Sequence, residues 1–186
     1  FIIYFLTAFA IFGVSVQSVA YLVELGFGEF EAAGAFGIAG VLSFAGMFLT
    51  GAAADRYGRS LVASISYLLT ILGVIGLAFL QFFPDKSLIF LWILPYGLSM
   101  GARGPIIATL QAKLFAGRGL GAIYGMTMMG QGLGAGLSAW FGGLLFDLTG
   151  GYNLLFSISI ISTLVCIILF WITPEIRLGQ LNRTKG

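Results

Sequence analysis

The chain has no histidine, one cysteine and four prolines, and only 9% of its 186 residues are charged. Each shortage excludes something. Without histidine there is no serine–histidine pair for nucleophilic catalysis, and the His/Cys/carboxylate clusters that hold zinc are missing. There is no phosphate-binding P-loop motif. An enzyme is therefore not expected, and neither a cofactor nor a metal is called for. The lone Cys166 lies deep in an apolar run, so no internal disulfide forms. A soluble domain carries about a quarter charged residues, and this chain has too little polar surface to cover a core. The net charge of +2 gives no reason to invoke nucleic acid.

What the chain has instead is apolar length, with 59% hydrophobic residues. A membrane-spanning helix needs roughly 20 apolar residues, and six candidates stand along the chain: 1–22, 32–54, 61–82, 87–110, 120–146 and 152–173. Together they form one all-α bundle over 1–173, followed by a tail at 174–186. An even number of spans puts both ends on one side. Arg56, Arg59, Lys113, Arg118, Arg177, Arg183 and Lys185 share one set of connections. Glu24, Glu29, Glu31, Asp85 and Asp147 occupy the other, with Lys86 as its one basic residue. The positive-inside rule then makes both ends cytoplasmic. The chain opens at Phe1 inside a hydrophobic run, without a basic leader, and reads as a piece of a longer one.

The spans differ in kind. The third and sixth are bulky and are expected to face lipid all round. The second carries Gly34, Gly37, Gly40 and Gly46, and the fifth Gly130, Gly132, Gly134 and Gly136. Small residues at such spacings let helix backbones approach closely in a membrane.

Between the second and third spans stands GAAADRYGRS. Gly51 is expected to let the end of the second helix pack close to a neighbour. Gly58 is placed to take positive φ in a tight turn, and Ser60 to cap the third helix. Asp55, Arg56 and Arg59 hold the loop at the membrane edge. The G-x-x-x-D-x-x-G pattern of Gly51, Asp55 and Gly58 returns 92 residues later as Gly143, Asp147 and Gly150, on the opposite side and without the arginines. Duplication of a three-helix unit with inverted topology would leave such a trace.

The same stretch resembles the G-x-x-x-D-R-x-G-R-R signature loop of the major facilitator superfamily, with Gly51, Asp55, Arg56, Gly58 and Arg59 in place and Ser60 at the last basic position. The second half, GARGPIIATLQAKLFAGRGLGAIYG and then GGLLFDLTGGYNLLF, is similar to helices ten to twelve of many members. The resemblance implies the C-terminal six-helix half of a twelve-helix secondary transporter, built as two inverted three-helix repeats. It would sit in a bacterial inner membrane, contacting lipid and an N-terminal half, and move a small solute by alternating access. Its signature residues would form a cytoplasmic conformational latch. It further implies that the first and fourth helices line the cavity, with the second and fifth beside it and the third and sixth toward lipid. A non-transporting scaffold or sensor on the same bundle is the alternative.

Arg103 is the one charge well inside a span, between Gly101 and Gly104 and before Pro105, which kinks a helix. Three readings stand for it: an anion-binding residue, the partner of an acid in a missing half, or a side chain snorkelling about 12 Å to the cytoplasmic interface. A structural or gating role is favoured over direct substrate contact, and organic anions are the weakly favoured substrate. Gln17 and Gln131 are the better candidates for the pathway, because an amide facing lipid is costly. Ser15, Ser18 and Thr127 are pathway groups or interhelical glue, and Gly134 is a packing residue. No acid lies mid-span.

Overall fold

A computed structural model describes residues 1–114, 117 and 119–172. Among them the chain is all helical: α1 (Ile2–Glu24), α2 (Glu29–Tyr57), α3 (Arg59–Phe79), a single 3-10 turn (Lys86–Ile89), α4 (Phe90–Met100), α5 (Arg103–Leu114), α6 (Leu120–Thr149) and α7 (Asn153–Ile172). The basic tail 174–186 and Arg118 lie outside the described residues.

Four of these helices, α1, α2, α3 and α7, are each long and apolar enough to cross a membrane. The other two expected spans differ. The run at 87–110 is not one helix: α4 stops at Met100 and α5 restarts at Arg103. Pro105 supplies the reason. It has no N–H to give to the carbonyl of residue 101, so the ladder opens one turn before it. Proline in the first turn of α5 costs nothing, because N–H groups there have no intrahelical partner. Thr50 Oγ1 of α2 donates to the Ala102 carbonyl at the break, 3.2 Å away. The remaining helix, α6, has 30 residues.

The buried apolar residues form two cores. Tyr21, Leu22, Phe27, Leu80, Ile89, Leu145, Tyr152 and Phe156 share the core at the acidic end. Ala54, Val62, Ala63, Tyr67, Ile106, Cys166 and Phe170 form a separate core at the other. Lys86 does not stand alone at the acidic end, because it pairs with Glu31 and ties the 3-10 turn to the start of α2. Asp85 caps that turn by accepting from the Ser87 N–H.

Glycines set the close contacts, though not all those expected. A Cβ on Gly134 would lie 2.3 Å from the Phe5 carbonyl oxygen of α1, and one on Gly46 2.0 Å from that of Leu98 in α4. Either would force the helices apart. Gly34, Gly37, Gly40, Gly132 and Gly136 meet nothing within 4 Å. Gly51 likewise meets nothing within 4 Å among the described residues.

The third and sixth spans do not face outward all round. On α3, Ala63, Ser66, Tyr67, Thr70, Val74 and Leu77 are buried. On α7, Ser159, Thr163, Cys166 and Phe170 are buried, and Ser159 Oγ donates to the Ala10 carbonyl of α1. Hydroxyls at helical spacing return their protons to helix carbonyls and pass as packing groups, which is why bulk composition hid these faces.

Candidate functional site

Gly58 closes α2 and opens α3 with φ +96°, the left-handed half of the map that glycine enters without steric cost. This leaves Ser60 inside the first turn of α3, not at its cap, which is Gly58 itself. Arg59 and Asp55 approach to 4.0 Å across the turn. Arg56 lies over the Tyr57 ring, 5.5 Å from its centre.

Within the bundle runs a layer of buried polar groups. Its outer part joins α1 to α4. Tyr96 Oη donates to the Ile11 carbonyl at 2.6 Å. Ser15 Oγ sits 3.0 Å from Tyr96 Oη, and Ser18 returns its proton to the Ser15 carbonyl. Ser15 therefore acts as an interhelical tie, whereas Ser18 bonds within α1.

Its inner part centres on Arg103, at the first position of α5 and 4% exposed. The side chain does not snorkel. It turns sideways onto α3, where Nε donates to Ser66 Oγ at 3.3 Å and Nη2 to the Ser66 carbonyl at 3.0 Å. Nη2 also donates to Thr70 Oγ1. Thr70 lies one turn further from the basic end than Ser66, so the guanidinium is drawn toward the middle of the bundle. Its carbon stands 4.4 Å from the centre of the Tyr67 ring, a favourable place for a cation. Tyr67 is held in turn by Thr7 of α1, with the oxygens 2.8 Å apart. Among the described residues no carboxylate pairs with Arg103, and its Nη1 makes no hydrogen bond.

Arg103 also borders a cavity of about 220 Å³. Tyr4, Thr7, Ala8, Ile11 and Phe12 of α1 form one wall, with Ser43, Met100, Gly104, Ile107 and Gln131 opposite. The structure thus brings Arg103 and Gln131 to one space. Gln17 is elsewhere: it packs on α6 against the bare backbone of Gly142, where a Cβ would meet its Cγ at 3.0 Å. Gly104 has nothing within 4 Å and leaves the first turn of α5 open to the cavity, whereas Gly101 packs on the Ser43 carbonyl. A groove of about 420 Å³ between α3 and α4 is lined only by apolar residues, Gly76 and Pro95, and offers no polar side chain to a solute.

The sequence reading missed Ser66, Tyr67 and Thr70. The available signal was their spacing: with Ala63, Val74 and Leu77 they make one stripe on α3 at helical period. It also missed Gln111, whose Nε2 donates to Thr127 Oγ1 at 2.8 Å and joins α5 to α6 one turn before Gln131.

The model of the Major Facilitator Superfamily matches residues 1–185. Quinolone resistance protein NorB of Staphylococcus aureus is similar to the chain in strains JH9, Newman and USA300. Each shares 30% identity over 144 residues, covering 76% of this chain and 30% of the relative. The chain therefore spans less than a third of the length of these curated relatives.

Proposed function

The chain belongs to the major facilitator superfamily, an integral membrane carrier family and not an enzyme family, and from that premise we propose that it forms the C-terminal six-helix half of a secondary transporter. In this reading α4 and α5 together make one crossing and α6 another. The packing supports it. Exchanging α1, α2 and α3 with α4–α5, α6 and α7 turns the α1–α6 contact into the α2–α4 contact, and the α1–α7 contact into the α3–α4 contact. The α3–α7 contact is its own image. The two glycines that close the repeated motif, Gly58 and Gly150, both take positive φ, at +96° and +68°. A three-helix unit used twice with opposite topology has these properties.

The observation that carries the functional reading is the mid-height cavity bounded by Arg103 and Gln131. Substrate sites of such carriers lie near the bilayer midplane, and two bundles rock around them. The N-terminal half of the same carrier would supply the facing wall. The exposed glycines of α2 and α6 are open for it. Gly51, Asp55, Arg56, Gly58 and Arg59 would act as the conformational latch at the cytoplasmic face, with both ends of the chain on that side of a bacterial plasma membrane. Relatives named for quinolone resistance point to an organic solute, and the buried guanidinium favours an organic anion among these.

The test is solute flux in liposomes holding the full polypeptide that carries this chain. Saturable flux supports a carrier, with loss expected on Asp55→Asn through the latch. A folded protein that shows no saturable flux with any of a panel of organic anions, cations and neutral solutes would leave the scaffold reading in its place.

A further inference from the structure

We propose that the break between α4 and α5 is an anion station for the head group of a singly charged amphiphile, a carboxylate or sulfonate on an apolar body. The inference rests on the carrier reading and names the chemistry of its site. Three independent features converge on one cavity. The first is Arg103, 4% exposed and without a carboxylate partner among the described residues. Its Nε and Nη2 are committed to Ser66 and Thr70, so Nη1, which has no hydrogen bond among the described residues, is the donor left for a ligand. The second is the N-terminus of α5, 12 residues long and starting at Arg103. Its dipole places positive potential there, and Gly104 leaves the approach open. The third is Gln131, an amide donor from α6 on the same cavity.

The charge count sets the class. One cation without an anion beside it matches one negative charge, whereas a dianion would bring a second charge with no partner into a low-dielectric site. A cation or a neutral amide gains nothing from Arg103. Ile11, Phe12, Met100 and Ile107 supply apolar walls. The 220 Å³ volume is below the range of about 300–1,000 Å³ of complete ligand pockets, which suits a head group and the start of an apolar body. The arrangement also explains why Arg103 is fixed to α3 before any ligand arrives. The neutral hydroxyls and the Tyr67 face hold its geometry without cancelling its charge.

The experiment is calorimetric titration of the full polypeptide, in detergent micelles, with benzoate, benzamide and phthalate. Benzoate is expected to saturate, benzamide to bind at least about tenfold more weakly, and phthalate no more tightly than benzoate. Arg103→Met should weaken benzoate at least about tenfold and remove the preference over benzamide. Gln131→Leu, outside the Arg103 network, should weaken it about threefold to tenfold and keeps the test alive if Arg103→Met does not fold. Equal binding of benzoate and benzamide, or full affinity in Gln131→Leu together with an intact charge preference in Arg103→Met, would overturn the station. So would the absence of benzoate binding, the result expected if an acidic side chain from elsewhere in the polypeptide already fills the cavity. Flux distinguishes the two readings. Saturable benzoate binding without transport keeps the station and removes the carrier, whereas transport of neutral or cationic solutes without benzoate binding does the reverse.

Discussion

The two parts of the buried polar layer are built alike and do different work. The outer part, Tyr96 with Ser15 and the Ile11 carbonyl, is neutral and closed, because the tyrosine proton is committed and the tyrosine oxygen accepts in return. The inner part, Arg103 with Ser66, Thr70 and Tyr67, is charged and open, with one arm of the guanidinium free of hydrogen bonds among the described residues and beside a cavity. They touch through Ser99, which lies 2.9 Å from Thr70 Oγ1 and donates to the Tyr96 carbonyl. The difference teaches how to separate a tie from a site. A closed neutral cluster stabilises the bundle because each group would otherwise be an unsatisfied dipole in an apolar interior. An open charged cluster contributes little stability, because the desolvation of the ion offsets its bonds.

Substitutions that break or sharpen this contrast are best compared by thermal unfolding of the full polypeptide in detergent. The largest effect is expected for Gly101→Val. Its Cβ would fall 2.2 Å from the Ser43 carbonyl oxygen, which pushes the α4–α5 junction off α2 at a cost of about 3 kcal/mol. Loss of folded protein, along with the inner cluster, is the expected readout. Next comes Tyr96→Phe, which removes the tyrosine's bond to the Ile11 carbonyl and the partner of Ser15 Oγ and should cost about 1–2 kcal/mol, with benzoate binding unchanged. Ser15→Ala removes one hydroxyl that ties helices together and should cost about 0.6 kcal/mol. The smallest effect on stability is expected for Arg103→Met, close to zero in either direction, because Ser66 and Thr70 keep their own bonds to Ala63 and Ser66 carbonyls. If Arg103→Met unfolds the protein more readily than Tyr96→Phe, the inner cluster is a tie as well and the contrast fails.

The glycine-rich helices carry a second version of the lesson. On α6, Gly130, Gly134 and Gly142 press on α1, while Gly132 and Gly136 on the same helix are open. On α2, Gly46 is pressed and Gly34, Gly37 and Gly40 are open. The sequence marked both helices as able to approach a neighbour. Which glycines do so depends on the rotation of each helix about its axis, set by the sum of its contacts. Gln17 and Gln131 show the same limit, since both are amides in apolar helices and only one borders the cavity.

Several features followed from the sequence alone. Composition and span length identify the membrane as the solvent. The motif around Asp55 identifies the family. Pro105 and Gly101 mark where a helix gives way. These are local properties, decided by the chain's own hydropathy, its missing N–H and its missing Cβ. The tertiary structure decided where Arg103 points. A side chain of that length reaches the interface, a cavity or a neighbouring helix from the same Cα, and the choice fell to α3, whose Ser66, Tyr67 and Thr70 stand more than thirty residues away in sequence. No local signal on α5 carries that information, because a buried charge is placed by whichever helix can satisfy it, and the packing of the whole bundle determines which helix that is.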